Sequence, residues 1–180
     1  MLRLLPILLL ADAPAIAQTT ATAAVAVPAT APAAITPVPS LAEFGSLMTD
    51  RVEARAAPSA ASRVIVIFTR ADLPVQLLES AGPWRRVQDQ DGTAGWARAD
   101  LISRRRTALA ITGSAGAPGE PIPIRAANQD TANPIALLEP GVLVGLLACD
   151  GRFCKVTAQG IRGYVSQGQL WGTTAGEVFK

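Results

Sequence analysis

Two stretches of this chain repeat one another, and that repeat fixes the unit that has to fold. The first reads VEAR…TRADLPVQLL…PWRRV…GTAGWARADL, and the second IPIR…LEPGVLVGLL…RFCKV…GIRGYVSQGQL. Arg55 matches Arg125, Trp84 matches Phe153, Trp96 matches Tyr164 and Leu101 matches Leu170, with offsets of 70, 69, 68 and 69. Single-residue slips between strands account for the drift. The unit is about 55 residues, the size of a small β-barrel.

Within each copy, short strands alternate with turns. Arg63 to Phe68 is β-branched and apolar, and Pro74 to Leu78 follows it. Trp84-Arg85-Arg86-Val87-Gln88 alternates apolar and polar at period two, as a half-buried strand does. Asp91-Gly92 marks a tight hairpin, and Gly95 to Arg98 begins the return strand. The second copy repeats this with Gly141 to Ala148, Phe153 to Thr157, a Gln159-Gly160 turn and Gly163 to Val165. Ala99 to Leu101 and Gly168 to Leu170 read as short 3₁₀ turns closing the modules. Ser103 to Ile111 and Leu170 to Gly172 are the candidate last strands.

The order of turn, W/F-x-K/R-V strand, hairpin, G-W/Y strand and D/Q-L closure resembles bacterial SH3-like (SH3b) domains. It looks most like tandem, signal-bearing proteins of proteobacterial envelopes. The resemblance implies an all-β fold: two tandem, small, partly open SH3-like β-barrels. The second copy has Tyr164 for Trp96 and Phe153 for Trp84, keeping a large aromatic at each position.

The organisation expected along the chain follows from composition. Residues 1–17 read as a signal peptide, with Arg3, the apolar run Leu4 to Leu10 and Ala15-Ile16-Ala17 before Gln18. Asp12 interrupts the run well short of a membrane span, and a retained anchor is the alternative. Residues 18–45 form an Ala/Thr/Pro-rich tether, expected to be disordered because it has too little apolar surface to offset its ordering entropy. Residues 46–112 are the first SH3-like domain, 113–119 a linker and 120–180 the second domain. The mature protein is expected to be periplasmic or secreted, with no stable membrane span after cleavage.

The net charge is only +2. Asp50 to Arg106 carries ten arginines against seven acids, whereas Glu120 to Lys180 balances five against five. The run Arg104-Arg105-Arg106 reads either as a solvated strand end or as a face for an anionic polymer or lipid head group. So weak a charge on an exported protein argues against nucleic acid.

Cys149 and Cys154 flank Asp150-Gly151-Arg152-Phe153, a hairpin turn that sets two opposed strand positions side by side. An oxidising compartment lets that pair persist as a disulfide, worth roughly 2 kcal/mol by chain entropy. A redox pair normally shows C-x-x-C at a helix start, and two thiolates without further ligands complete no zinc site. No metal and no cofactor is expected.

The chain contains no histidine, which removes Ser-His-Asp and Cys-His machinery. Asp89-Gln90-Asp91-Gly92 echoes a carboxylate pair or a calcium loop, but turn chemistry explains it better. TGSAGAPG lacks the Gly-Lys-Ser/Thr ending of a phosphate loop. The reading is a non-enzyme.

By resemblance, SH3b domains recognise cell-wall peptides or partner proteins. The candidate ligand-binding residues are Trp84, Arg85, Arg86, Trp96 and Arg98, with Phe153, Lys155 and Tyr164 in the second copy. An aromatic beside a cation suits the carboxylates and sugar faces of peptidoglycan. The expected partner is a peptidoglycan peptide or an envelope protein. The alternative is a structural or accessory subunit of an envelope complex, joined by strand pairing. Exposure of Trp84 and Phe153 would favour a ligand, and burial between modules a structural role. Proline-rich recognition is poorly supported, because the chain has a single tyrosine.

Overall fold

The computed structural model describes residues 36–37, 43–111 and 119–180. The expected signal peptide, and nearly all of the expected tether and linker, lie outside the described residues. The described chain is nearly all β-structure, in two curled sheets of identical strand order.

The first sheet contains β1 (Thr36–Pro37), β2 (Glu43–Leu47), β3 (Val52–Arg55), β4 (Val64–Phe68), β5 (Pro74–Ala81), β6 (Trp84–Gln88), β7 (Ala94–Arg98) and β8 (Ile102–Ser103). The second contains β9 (Thr107–Ala110), β10 (Ile122–Arg125), β11 (Pro134–Leu138), β12 (Leu143–Asp150), β13 (Phe153–Ala158), β14 (Ile161–Ser166), β15 (Leu170–Trp171) and β16 (Val178–Phe179). The first runs β4-β3-β7-β6-β5-β2-β8 with β1 beside β5, and the second β11-β10-β14-β13-β12-β9-β15 with β16 beside β12. Two tandem SH3-like barrels are therefore what the repeat encodes. Among the described residues no helix is long and apolar enough to cross a membrane.

Three expectations are corrected. Ser103 to Ile111 does not close the first barrel as one strand. Ser103 ends β8, while Thr107–Ala110 pairs with β12 and β15 of the second sheet. All four residues of β9 are buried there, covering the edge that β2 covers in the first barrel. The same logic places residues 43–45, assigned to the tether, inside strand β2, where Phe44 and Gly45 are buried. Finally, Ile102 rather than Leu101 matches Leu170: Ile102 pairs with Leu47 as Leu170 pairs with Ala110. The 3₁₀ turns accordingly span Ala99–Leu101 and Gln167–Gln169.

Each barrel has its own core. Leu47, Val52, Phe68, Val75, Val87 and Ala97 fill the first; Ile122, Ile124, Val144, Val156, Val165 and Leu170 anchor the second. Close strand crossing explains the glycine before each repeated aromatic. A Cβ at Gly95 would lie 2.9 Å from the Ala54 Cβ, and one at Gly163 2.5 Å from the Ile124 side chain. The barrels also touch. Phe44 meets Trp171 edge-on at 5.4 Å, the Thr107 hydroxyl donates to the Asp72 carbonyl at 2.8 Å, and Arg70 donates to the Gly141 carbonyl at 3.2 Å.

Candidate functional site

In the first barrel, strand alternation divides the five residues singled out. Trp84, Arg86, Trp96 and Arg98 share the outer face of β6 and β7, where Trp84 pairs across the strands with Arg98 and Arg86 with Trp96. Both indoles are buried, Trp84 at 8% and Trp96 at 6% exposure, but they form a small cluster with Ala81 apart from the main core. The Arg98 guanidinium stands 6.0 Å from the centroid of the Trp84 ring, at the edge of cation–π range. Asp100 holds Arg98 through bonds of 2.9 and 3.2 Å, and the Arg98 hydrogen bond keeps the Asp100 carboxyl below its ordinary range. Arg86 is tied to Glu79 at 2.6 Å. Arg85 projects to the opposite face and lines a different cavity.

Beside Trp84 lies a shallow cavity of about 300 Å³, completed by Arg51, Glu53, Arg55, Ala60, Arg98 and Leu101. Arg51 and Glu53 lie on or beside β3 and were missed in the sequence, because nothing in VEAR marks a strand that folds back over β7. Arg55 carried a signal as a match to Arg125, and its role is partly structural. It donates to the Ser62 carbonyl at 2.7 Å, as Arg125 does to the Ala132 carbonyl at 2.9 Å, bracing the same loop in both barrels.

The second barrel repeats the plan with different side chains. Phe153 is buried at 4% exposure, Tyr164 is half-buried and Lys155 exposed. Tyr164 lies opposite both Lys155 and Arg125, as Trp96 lies opposite Arg86 and Arg55. The Arg152 guanidinium stands 5.8 Å from the Phe153 centroid. A cavity of about 260 Å³ there is lined by Phe153, Lys155, Tyr164, Asn128 and the C-terminal strand residues Val178 and Phe179. Trp84 and Phe153 are thus buried, but each beside a guanidinium of its own barrel rather than between the barrels.

The turn of this barrel is organised by Asp150. Its carboxylate accepts from Asn128 at 2.8 Å and from the backbone N–H groups of Phe153 at 2.7 Å and Arg152 at 2.9 Å. Those donors, the Asn128 amide foremost, lower its pKa to about 2. Cys149 and Cys154 flank that turn as directly opposed residues with Cα atoms 4.0 Å apart, and they form the disulfide. Asp89 organises a different hairpin, the β6–β7 turn of the first barrel, accepting from the Asp91 and Thr93 N–H groups at 3.1 and 2.8 Å. The Asp89 to Gly92 string is hairpin chemistry.

The arginine run between the sheets is divided among three environments. Arg104 is exposed, Arg105 pairs with Asp72 at 3.0 Å, and half-buried Arg106 grips Glu177 at 2.5 and 3.0 Å. It is not one anion-facing patch. Among the described residues no group of three or more His, Cys, Asp and Glu could hold a metal ion.

Comparison with known proteins agrees with this duplication. A family model for the bacterial SH3 domain matches residues 49–104 and again 119–172. No curated protein matches the chain. Among solved structures it is similar to NlpC2 from Trichomonas vaginalis, at 18% identity over 74% of this chain and 49% of that one, with a TM-score of 0.34. NlpC1 from the same organism matches at 17% identity over 79% and 49%, with a TM-score of 0.33. An NlpC/P60 family protein from Bacillus cereus matches at 9% identity over 72% and 57%, with a TM-score of 0.31. The chain spans about half the length of these proteins. Two tandem family matches, falling on two sheets of one strand order, cover more than half of the sequence, and the chain belongs to the bacterial SH3 domain family.

Proposed function

We propose that this is an exported, non-catalytic binding protein of the cell envelope, whose tandem barrels recognise a cell-wall peptide. Family membership supports wall association, since bacterial SH3 domains commonly bind wall material. The expected signal segment at residues 1–17 and the disulfide both suit an oxidising, extracytoplasmic compartment. The observation that carries the reading is the recurrence, in both barrels, of a large ring and a cation lining a shallow cavity, Trp84 with Arg98 in the first and Phe153 with Lys155 in the second. Half-buried Tyr164 and the rims of the buried rings meet sugars and Cα–H groups, while exposed Arg98 and Lys155 offer charge to carboxylates.

The test is co-sedimentation of the mature protein with purified sacculi. Wild type is expected in the pellet, and the double variant R98A/K155A, at two exposed positions, is expected to lose retention about tenfold. A protein that stays in the supernatant with sacculi but is captured by an envelope protein rejects wall binding.

One observation favours the second reading, an accessory subunit. The end strands β4 and β11 expose Ile65 and Ile67, and Ile135 and Leu137, at equivalent places. Free apolar edges of this kind accept another strand.

A further inference from the structure

Of the nine large apolar side chains exposed among the described residues, five stand on two strands: Val64, Ile65 and Ile67 on β4, and Ile135 and Leu137 on β11. Both strands end their sheets, and among the described residues β4 pairs only with β3 and β11 only with β10. Their burial alternates identically. Val66 and Ala136 pack against their cores, Phe68 and Leu138 belong to them, and the aliphatic residues between face outward. An unpaired edge with such an outer face is a template for another strand.

The two edges are alike in shape but opposite in charge. Arg63 precedes β4 and Glu139 follows β11; both are exposed, and neither has an ion partner among the described residues. The corners beside them differ as well. By the ladders, Leu138 stands where the first barrel has Phe68, Ala158 where it has Asp89, and Ile161 where it has Thr93. An apolar cavity of about 310 Å³ opens there in the second barrel, lined by Leu137, Leu138, Val142, Ala158 and Ile161 together with Glu139.

We propose that the chain assembles with copies of itself, β4 of one copy pairing antiparallel with β11 of the next. One register matches every exposed group. It sets Arg63 opposite Glu139, Ile65 opposite Leu137 and Ile67 opposite Ile135, with Phe68 against Pro134 at the far end. Opposed residues of antiparallel strands share a face, so the four aliphatic chains form one cluster beside the cavity. A slip of one residue would turn outward chains against inward ones. Pro134 brings no N–H, but it falls at the end of the ladder.

Neither edge fits itself as well. Pairing β4 with β4 sets Arg63 against the Thr69-Arg70 end of its copy, cation toward cation. Pairing β11 with β11 sets Glu139 against neutral Asn133. The β4–β11 contact joins two different surfaces, so it extends from copy to copy in a row or closes as a ring. This assembly uses the free edges of the accessory reading and names their occupant; it needs no wall ligand.

The experiment is sedimentation velocity of residues 18–180 from micromolar to millimolar concentration. The mass of wild type is expected to grow with concentration. I65E on β4 and L137E on β11, both at exposed positions, should each weaken association by about tenfold or more. Mixed in equal amounts, the two variants should recover a discrete one-to-one dimer, since each keeps the edge that the other lost. R63E should weaken association by about tenfold, and R63E/E139R should regain it with the charges exchanged. Circular dichroism matching wild type identifies the variants that remain folded. The proposal is overturned by a monomer at millimolar concentration, by undiminished association of I65E or L137E alone, by a mixture that stays monomeric, or by R63E/E139R remaining dissociated. A monomer overturns self-assembly without touching the accessory reading, in which another protein supplies the strand.

Discussion

At the residue scale, two side-chain sets in the second hairpin carry measurable weight. Cys149 and Cys154 are both buried in the core of their barrel, so the disulfide acts on a marginal unit. The C149A/C154A variant is expected to lose about 2 kcal/mol, seen as a lower urea midpoint with an unchanged slope. Asp150 makes the same hairpin pH-sensitive. Its folded pKa of about 2 lies below the ordinary carboxylate value, so its stabilisation is fully present above that ordinary value and is lost as pH falls through the folded one. Thermal melts of wild type should therefore lose stability between roughly pH 4 and pH 2. D150N should flatten that part of the profile, and an unchanged profile would contradict the turn role.

At the scale of elements, the glycine before each repeated aromatic reports how closely two strands cross. Gly163 has no space for a methyl group, since its Cβ would meet the Ile124 side chain at 2.5 Å and the Arg125 carbonyl at 2.6 Å. G163A is expected to cost about 1–3 kcal/mol through forced displacement of β10, read by denaturant unfolding. G95A, whose nearest neighbour is the Ala54 methyl at 2.9 Å, should cost less. The sequence displayed both glycines as part of the G-W/Y pattern, but not the reason for them, because the strand they cross lies some forty residues earlier. The ring faces show the same division. The sequence reading set Trp84, Arg85 and Arg86 in one candidate group, but strand alternation puts Arg85 on the face of Val87 and away from its two neighbours. That the Val87 face is the core side depends on Leu47, Val75 and Phe68, contributed by three other strands.

At the scale of the whole molecule, the barrels share one strand boundary and a small contact. The segment after β8 leaves the first sheet at Ser103, anchors through Arg105 on Asp72, and enters the second sheet at Thr107. The buried Thr107 hydroxyl and the Phe44–Trp171 pair then join the two. Phe44 is expected to couple their unfolding. In F44A, calorimetry should separate one broad transition into two, with the disulfide-bearing barrel melting later; a single unchanged transition would show that the contact transmits nothing.

The architecture was legible along the chain. Duplication at near-constant spacing, period-two alternation and Asp-Gly turns are local properties, and each barrel can satisfy them without reference to the other. The same holds for the disulfide, whose partners are joined by one hairpin. Packing in three dimensions alone set where one barrel ends and the next begins, and which cations face which rings. Those outcomes depend on edge strands that choose partners by burial across the sheet, as β9 does when all four of its side chains find cover in the second core. No window along the chain contains that choice, because the surfaces that compete for the strand exist only after both sheets have formed.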